Sequence, residues 1–193
     1  INIDNEKMSK SLGNFVLVND IRKQIDPQIL RCFMLSVHYR HPINFAQDLV
    51  EAAKNGLERI RTSYANVEHR LSSTASLAEG SAEWLEKISA AKPDFEIAMD
   101  DDFNTATASS VLLGLSSLAN VYLKESNTDE AVLRAILAAF DQIGDVLGIE
   151  VKVEAGLLDE EIEALIAERT EARKNRDFAR SDEIRDQLLA MNI

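Results

Sequence analysis

Two lysines, two serines and a glycine are crowded into residues 6–15, EKMSKSLGNF, near the start of a chain that is otherwise acidic. Lys7 and Lys10 stand three apart, with the small Ser9 and Ser11 around them, so ammonium groups and backbone can approach one anion together. Gly13 gives the segment the backbone freedom that a mobile loop needs. The chemistry such a set serves is phosphoryl-charge stabilisation, in which positive charge meets negative charge as it develops in a transition state. Losing one contact of this kind costs on the order of 3 kcal/mol of barrier, about a hundredfold in rate. A solvated turn has the same residue types, and on residue type alone it is the better reading.

The elements that would have to position this loop are helices. At 193 residues, with 46% hydrophobic and 28% charged residues, the chain is long enough for a substantial core and reads as globular. Seven Gly and three Pro predict long regular elements with short connections. A single cysteine excludes an internal disulfide framework and fits a reducing compartment, so a cytoplasmic location is expected. No basic, apolar signal segment opens the chain. Residues 103–123 carry no charge over a length that could span a bilayer. Eight of them are Asn, Ser or Thr recurring between apolar positions, which a buried bundle helix explains better, and no membrane partner is expected. The net charge of −12 argues against a general nucleic-acid binder. It is unevenly spread: +2 over residues 1–40, −10 over 41–156 and −4 over 157–193.

Asp26 as N-cap and Pro27 at the first helical position predict a helix start, and Pro42 is expected to end that helix. Ile29, Leu30, Phe33, Met34 and Val37 make it apolar nearly all round, hence buried. Leu49, Ala53, Leu57, Ile60, Tyr64, Val67 and Leu71 form the stripe of a packed antiparallel helix. A Ser-rich loop follows over 72–81. Further helices are expected over about 81–101 (restarted near Pro93), 104–124 and 129–147. The last carries Leu133, Ile136, Phe140, Ile143 and Leu147, with Gly148 as C-cap. IEVKVEAG reads as a short extended linker, and two final helices begin near Asp159 and Asp177. The fold class is mainly α: a helical bundle, a linker and a small helical tail.

KMSKSLGN is identical in form to the signature loop of class I aminoacyl-tRNA synthetases, which activate an amino acid with ATP. DPQILRCFMLSVHYRHPINF, FEIAMDDDFNTATA and LIAERTEARKNRDFARSDEIRDQLL resemble later blocks of one family in that class, cysteinyl-tRNA synthetase, so the resemblance covers essentially the whole chain. It implies that Lys10 contacts the nucleotide phosphates, with Lys7 assisting and Met8, Ser9 and Ser11 shaping the loop. It implies ATP with Mg2+, cysteine and tRNA(Cys) as substrates, a cysteinyl-adenylate intermediate and a monomer. Residues 1–19 would end the catalytic domain and carry the loop. Residues 20–150 would be the class I anticodon-binding-type bundle, and 151–193 the linker and a truncated anticodon-binding region.

Arg169, Arg173, Arg176 and Arg180, with Lys174 beside them, would share one face of a continuous helix and could follow an RNA backbone. A solvated face of Glu–Arg pairs is equally compatible with the spacing. The family's zinc, held by Cys, His and Glu side chains upstream of the loop, finds no ligands here. Cys32 sits in an apolar helix as a packing thiol, and Pro42 breaks the helix that would align His38 with His41. The triplet at 100–102 reads as a helix boundary, with Asp102 or Asn104 as cap, because successive helical residues point apart. No His-Ile-Gly-His-type signature is found and the chain opens at Ile1. A C-terminal fragment, inactive in isolation, is therefore expected. Two alternatives stay open: a related ligase passing activated cysteine to a small amine, and a non-enzymatic helical RNA-binding module.

Overall fold

The apolar spacings fold as helices, and short-range capping fixes most of their ends. In the computed structural model the described residues are 1–3, 6–9, 11–15, 17–74, 81–153, 157–174 and 177–190, the last two ranges partly by backbone alone. They divide into two units, Ile1–Lys152 and Val153–Ile193.

The first unit opens with two-residue strands, β1 (Asn2–Ile3) and β2 (Glu6–Lys7), then a single helical turn, α1 (Val18–Ile21). Helix α2 (Pro27–Leu35) starts as its sequence predicts: the Asp26 carboxylate accepts the Gln28 N–H at 2.8 Å and Pro27 occupies the first position. It ends earlier than predicted. The Ser36 hydroxyl donates to the Phe33 carbonyl at 2.7 Å, offering the backbone a local alternative to another turn, and the chain leaves the helix before Pro42. Nor is α2 buried all round. Phe33 is buried, but Met34 is 51% exposed, because α2 packs against later helices on one side. Strand β3 (Asn44–Phe45) then joins the sheet in the order β2-β1-β3, with β1 antiparallel to β2 and parallel to β3.

Helix α3 (Gln47–Ser73) buries Leu57, Ile60, Tyr64 and Val67, the expected stripe, but at its start Val50 turns inward and Leu49 is exposed. Helices α4 (Ser81–Ser89) and α5 (Ala91–Asp100) break at Ala90, which puts Pro93 in a first turn, where its missing N–H is tolerated. Helix α6 (Thr105–Tyr122) is capped by Asn104, whose side chain accepts from the Thr107 N–H at 3.1 Å. Helix α7 (Glu130–Leu147) is capped by Asp129 and stopped by Gly148 at φ 65°. Leu133, Ile136, Phe140, Ile143 and Leu147 of α7 meet Leu112, Leu115 and Tyr122 of α6 and the α3 stripe in one core.

The expected linker is partly core. Ile149 and Val151 are 4% and 5% exposed, packed with the same cluster, so the chain runs as a bound strap until Lys152. In the second unit, α8 (Leu157–Lys174) and α9 (Phe178–Ala190) pack together, with Ile184 buried. Asp177 caps α9 by accepting from the Arg180 N–H at 3.1 Å, whereas Asp159 lies inside α8 rather than before it. No helix among the described residues is long and apolar enough to cross a membrane.

Candidate functional site

The lysine loop hangs from the small sheet. Lys7 pairs with Asn2 across β1 and β2, and the Met8 N–H donates to the Ile1 carbonyl at 3.3 Å. One side chain closes the loop at its base: Asn14 Nδ2 donates to the Lys7 carbonyl at 3.3 Å, while its Oδ1 accepts from the Ser9 N–H at 2.9 Å. Inside, the Ser9 and Ser11 hydroxyls lie 3.0 Å apart and the Leu12 N–H donates to Ser9 Oγ at 3.2 Å. Gly13 makes the return at φ 68°, a left-handed conformation that glycine adopts without a Cβ penalty. Lys7 and Ser11 are exposed; Met8 and Ser9 are half-buried. Met8 lines an apolar cavity of about 180 Å³ together with Ile3, Val18, Ile21, Leu30 and Phe33. The described part of the loop thus offers one exposed lysine and two hydroxyls, with Met8 turned to the apolar cavity. Lys10 lies outside the described residues.

Asn14 was not singled out from the sequence. Its signal was present: an Asn directly after a glycine, with a short amide that can bond neighbouring backbone groups and hold a turn.

The basic cluster near the C-terminal end is not one continuous face. Helix α8 ends at Lys174 and α9 begins at Phe178, so Arg169 and Arg173 stand on one helix and Arg180 on the next; Arg176 lies outside the described residues. The Arg180 guanidinium is spent on carboxylates, with Nε on Glu168 at 2.9 Å and Nη1 on Glu183 at 3.0 Å. Arg173 and Lys174 are exposed, and Arg169 Nε is buried with no hydrogen-bond partner among the described residues.

Asp102 is a corner clamp and caps no helix. It and Phe103 both adopt φ 54° between α5 and α6. Its carboxylate accepts from Arg40 Nη2 at 3.0 Å and from the Tyr39 hydroxyl at 2.7 Å. Hydrogen bonds from Arg40 first, then Tyr39, hold that carboxyl at about 2, below its ordinary value. The His38 ring stacks on Tyr39 at 4.9 Å and meets His41 edge-on at 5.7 Å. Cys32 lines a second apolar cavity of about 350 Å³ with Phe33, Leu57 and Leu112, and burial pushes its thiol up, away from the thiolate that a ligand or nucleophile requires. Among the described residues no three His, Cys, Asp or Glu side chains converge as a metal site, so zinc does not fit them.

Three family profiles match in order along the chain. One described as the class I (C) tRNA synthetase catalytic domain covers residues 1–55, one described as the DALR domain covers 94–152, and one described as the cysteinyl-tRNA ligase anticodon binding domain covers 155–193. Similar proteins align over all 193 residues. The cysteine–tRNA ligase of Lysinibacillus sphaericus (strain C3-41) is 70% identical, that of Bacillus licheniformis 61% and that of Geobacillus thermodenitrificans 58%. In each case the match takes in 100% of this chain and 41% of the relative, so the chain spans about two fifths of the length of the curated relatives it matches.

Proposed function

We infer that this chain, which belongs to the cysteine–tRNA ligase family, serves the ATP-dependent joining of cysteine to tRNA(Cys), supplying the lysine loop and the helical region that holds the RNA. The observation that carries the reading is the loop itself: a KMSKS segment closed at its base by Asn14, inside the stretch that matches a class I catalytic domain. In the first half-reaction the cysteine carboxylate attacks the α-phosphorus of ATP, the bond to the bridging oxygen breaks, and pyrophosphate leaves with the negative charge. Lys10 neutralises that charge as it develops, and Lys7 assists from the sheet edge. Met8, Ser9 and Ser11 set the loop's shape. Positive charge placed where charge develops lowers the barrier more than it strengthens ground-state binding. A terminal ribose hydroxyl of the RNA then attacks the carbonyl carbon of the cysteinyl-adenylate, forming the ester as the bond to the phosphate oxygen breaks and AMP leaves.

The bundle formed by α3 to α7 supports the RNA, and the α8–α9 pair approaches its anticodon arm, with Arg169, Arg173, Lys174, Arg176 and Arg180 as the cationic contacts, of which Arg173 and Lys174 are exposed. The enzyme acts in the cytoplasm as a monomer, and Mg2+ accompanies the nucleotide. Domain roles follow the same division: 1–19 for the loop, 20–150 for the bundle, 151–193 for the RNA-reading end.

Lys10→Ala, in a full-length ligase carrying these 193 residues, is the test. Cysteine-dependent pyrophosphate exchange should slow about a hundredfold while equilibrium binding of cysteine changes little. Equal losses in both would remove Lys10 from the charge-stabilising role. Charging of a small amine in place of tRNA(Cys) would replace the acceptor.

A further inference from the structure

We propose that Asn14 is a positioning residue for the lysine loop: its carboxamide takes the place of a neighbouring strand beside Met8, and a carboxylate there opens the loop until it is protonated. The proposal rests on the ligase reading above. Its basis is the pair of bonds at the base of the loop. Asn14 Nδ2 donates to the Lys7 carbonyl at 3.3 Å, and Asn14 Oδ1 accepts from the Ser9 N–H at 2.9 Å. These groups belong to the two peptides on either side of Met8. A carbonyl only accepts and an N–H only donates, so the two contacts also fix which way the amide points.

A carbonyl before one residue and an N–H after it are what a strand presents to the next strand of a parallel sheet. Strand β2 ends at Lys7 and forms an edge of the sheet, and the Asn14 amide covers that edge where the strand stops. Met8 is held between them: its N–H donates to the Ile1 carbonyl at 3.3 Å and its side chain lines the apolar cavity. The return limb has little other support. From Ser11 to Phe15, Asn14 alone is half-buried, the other four residues are exposed, and none of the five lines that cavity. Among the described residues, the other hydrogen bonds within the loop converge on the Ser9 hydroxyl, from Ser11 and from the Leu12 N–H, and do not reach Lys7.

Asparagine is the side chain of this length that carries one donor and one acceptor on a planar fork. An ionised aspartate has the same shape but only acceptors, and it sets an oxygen against the Lys7 carbonyl. A protonated one regains an O–H donor, keeps an acceptor, and so reproduces both bonds. The facing carbonyl disfavours the charged form, which moves protonation toward neutral pH. The charged side chains on β2 are Glu6 and Lys7, both exposed, and β1 carries none.

The test is cysteine-dependent pyrophosphate exchange in a full-length ligase carrying these 193 residues, from about pH 8 to about pH 5. Because Glu6 is also a carboxyl, each rate is taken relative to the parent at the same pH. At the alkaline end Asn14→Ala and Asn14→Asp should both be about tenfold slow. Toward acid the Asn14→Asp deficit should shrink at least about twofold, whereas Asn14→Ala, with nothing to protonate, keeps its deficit. Both variants should retain the parent's thermal midpoint and hold its KM for cysteine within about twofold. Ser9→Ala leaves both peptides as they are, so adding Asn14→Asp to it should cost about the same factor. A penalty that vanishes on the Ser9→Ala background would transfer the role to the hydroxyl contacts and overturn the proposal. So would an Asn14→Asp deficit that is flat or grows in acid, or a rate loss matched by a lower thermal midpoint. A parent without cysteine-dependent exchange would overturn the ligase reading and this inference together; a parent that exchanges normally, with Asn14→Ala and Asn14→Asp equal to it, overturns the inference alone.

Discussion

Gly144 of α7 gives the sharpest test of how the strap is packed. Glycine in a helix interior is destabilising by about 1 kcal/mol relative to alanine, so propensity alone makes Gly144→Ala stabilising. Packing says the opposite. A Cβ at Gly144 would stand 2.9 Å from the Ile149 carbonyl oxygen and 2.9 Å from a Val151 methyl. Both neighbours belong to the strap, and one is backbone, so relief requires the strap to lift. Overpacking of this kind costs about 1–3 kcal/mol, and weakening the Ile149 N–H bond to the Gly144 carbonyl adds roughly 1 kcal/mol. Set against the propensity gain, the net expectation is a loss of about 2 kcal/mol, a fall of roughly 4–8 °C in Tm for a unit of this size. Two other helical glycines serve as controls. At Gly56 the new Cβ would meet only Leu113 Cδ2 at 4.0 Å, and at Gly114 nothing lies within 4 Å. Gly56→Ala and Gly114→Ala should each stabilise by about 0.5–1 kcal/mol. Urea unfolding followed by circular dichroism separates the cases through the midpoint at unchanged slope. A Gly144→Ala midpoint that rises with the other two would refute the close approach of the strap to α7.

Two further outcomes follow from side chains that tie distant backbone together. The Asp102 carboxyl is held at about 2, below its ordinary 3.8, so its stabilising effect is fully present above about pH 4 and is lost as pH falls from there toward 2. Asp102→Asn keeps a residue that tolerates a left-handed φ. The stability gap between parent and variant should be flat at neutral pH and close on acidification, and a gap that widens in acid would contradict the clamp. Asn14→Ala removes the bridge between the Lys7 carbonyl and the Ser9 N–H while touching no core residue. Pyrophosphate exchange in the full-length ligase should drop roughly tenfold with the thermal midpoint unchanged; loss of stability with normal exchange would make Asn14 a fold residue only.

What the sequence disclosed is what is decided within a few residues. Asp26, Asn104 and Asp177 each cap a helix through a backbone N–H two or three residues on, and Gly148 stops α7 by its own left-handed conformation. Type and spacing suffice for such contacts. The errors lie where a distant partner decides. Whether Leu49 or Val50 faces inward depends on what covers the first turn of α3, which no local pattern states. Asp102 looks like a cap candidate until Arg40 and Tyr39, more than 60 residues away, claim its carboxylate. A shared arginine face requires one continuous helix, whereas α8 ends at Lys174 and α9 begins at Phe178, beside the Asp177 cap where the sequence places a helix start. The strap was legible in part: Ile149 and Val151 alternate with Glu150 and Lys152, the period of an extended segment with one buried side.

The lysine loop and the strap are built by opposite means. The loop is closed by one amide and two hydroxyls, largely at the surface, and carries its return on a glycine. The strap is fixed by the buried Ile149 and Val151, by the Gly144 carbonyl, and by Arg61 Nε, which donates to the Glu150 carbonyl at 3.0 Å, so lifting it exposes apolar surface and breaks several bonds at once. The described part of the loop therefore rests on a few surface polar bonds and the strap on buried apolar packing, so a substitution that loosens the first leaves the second in place.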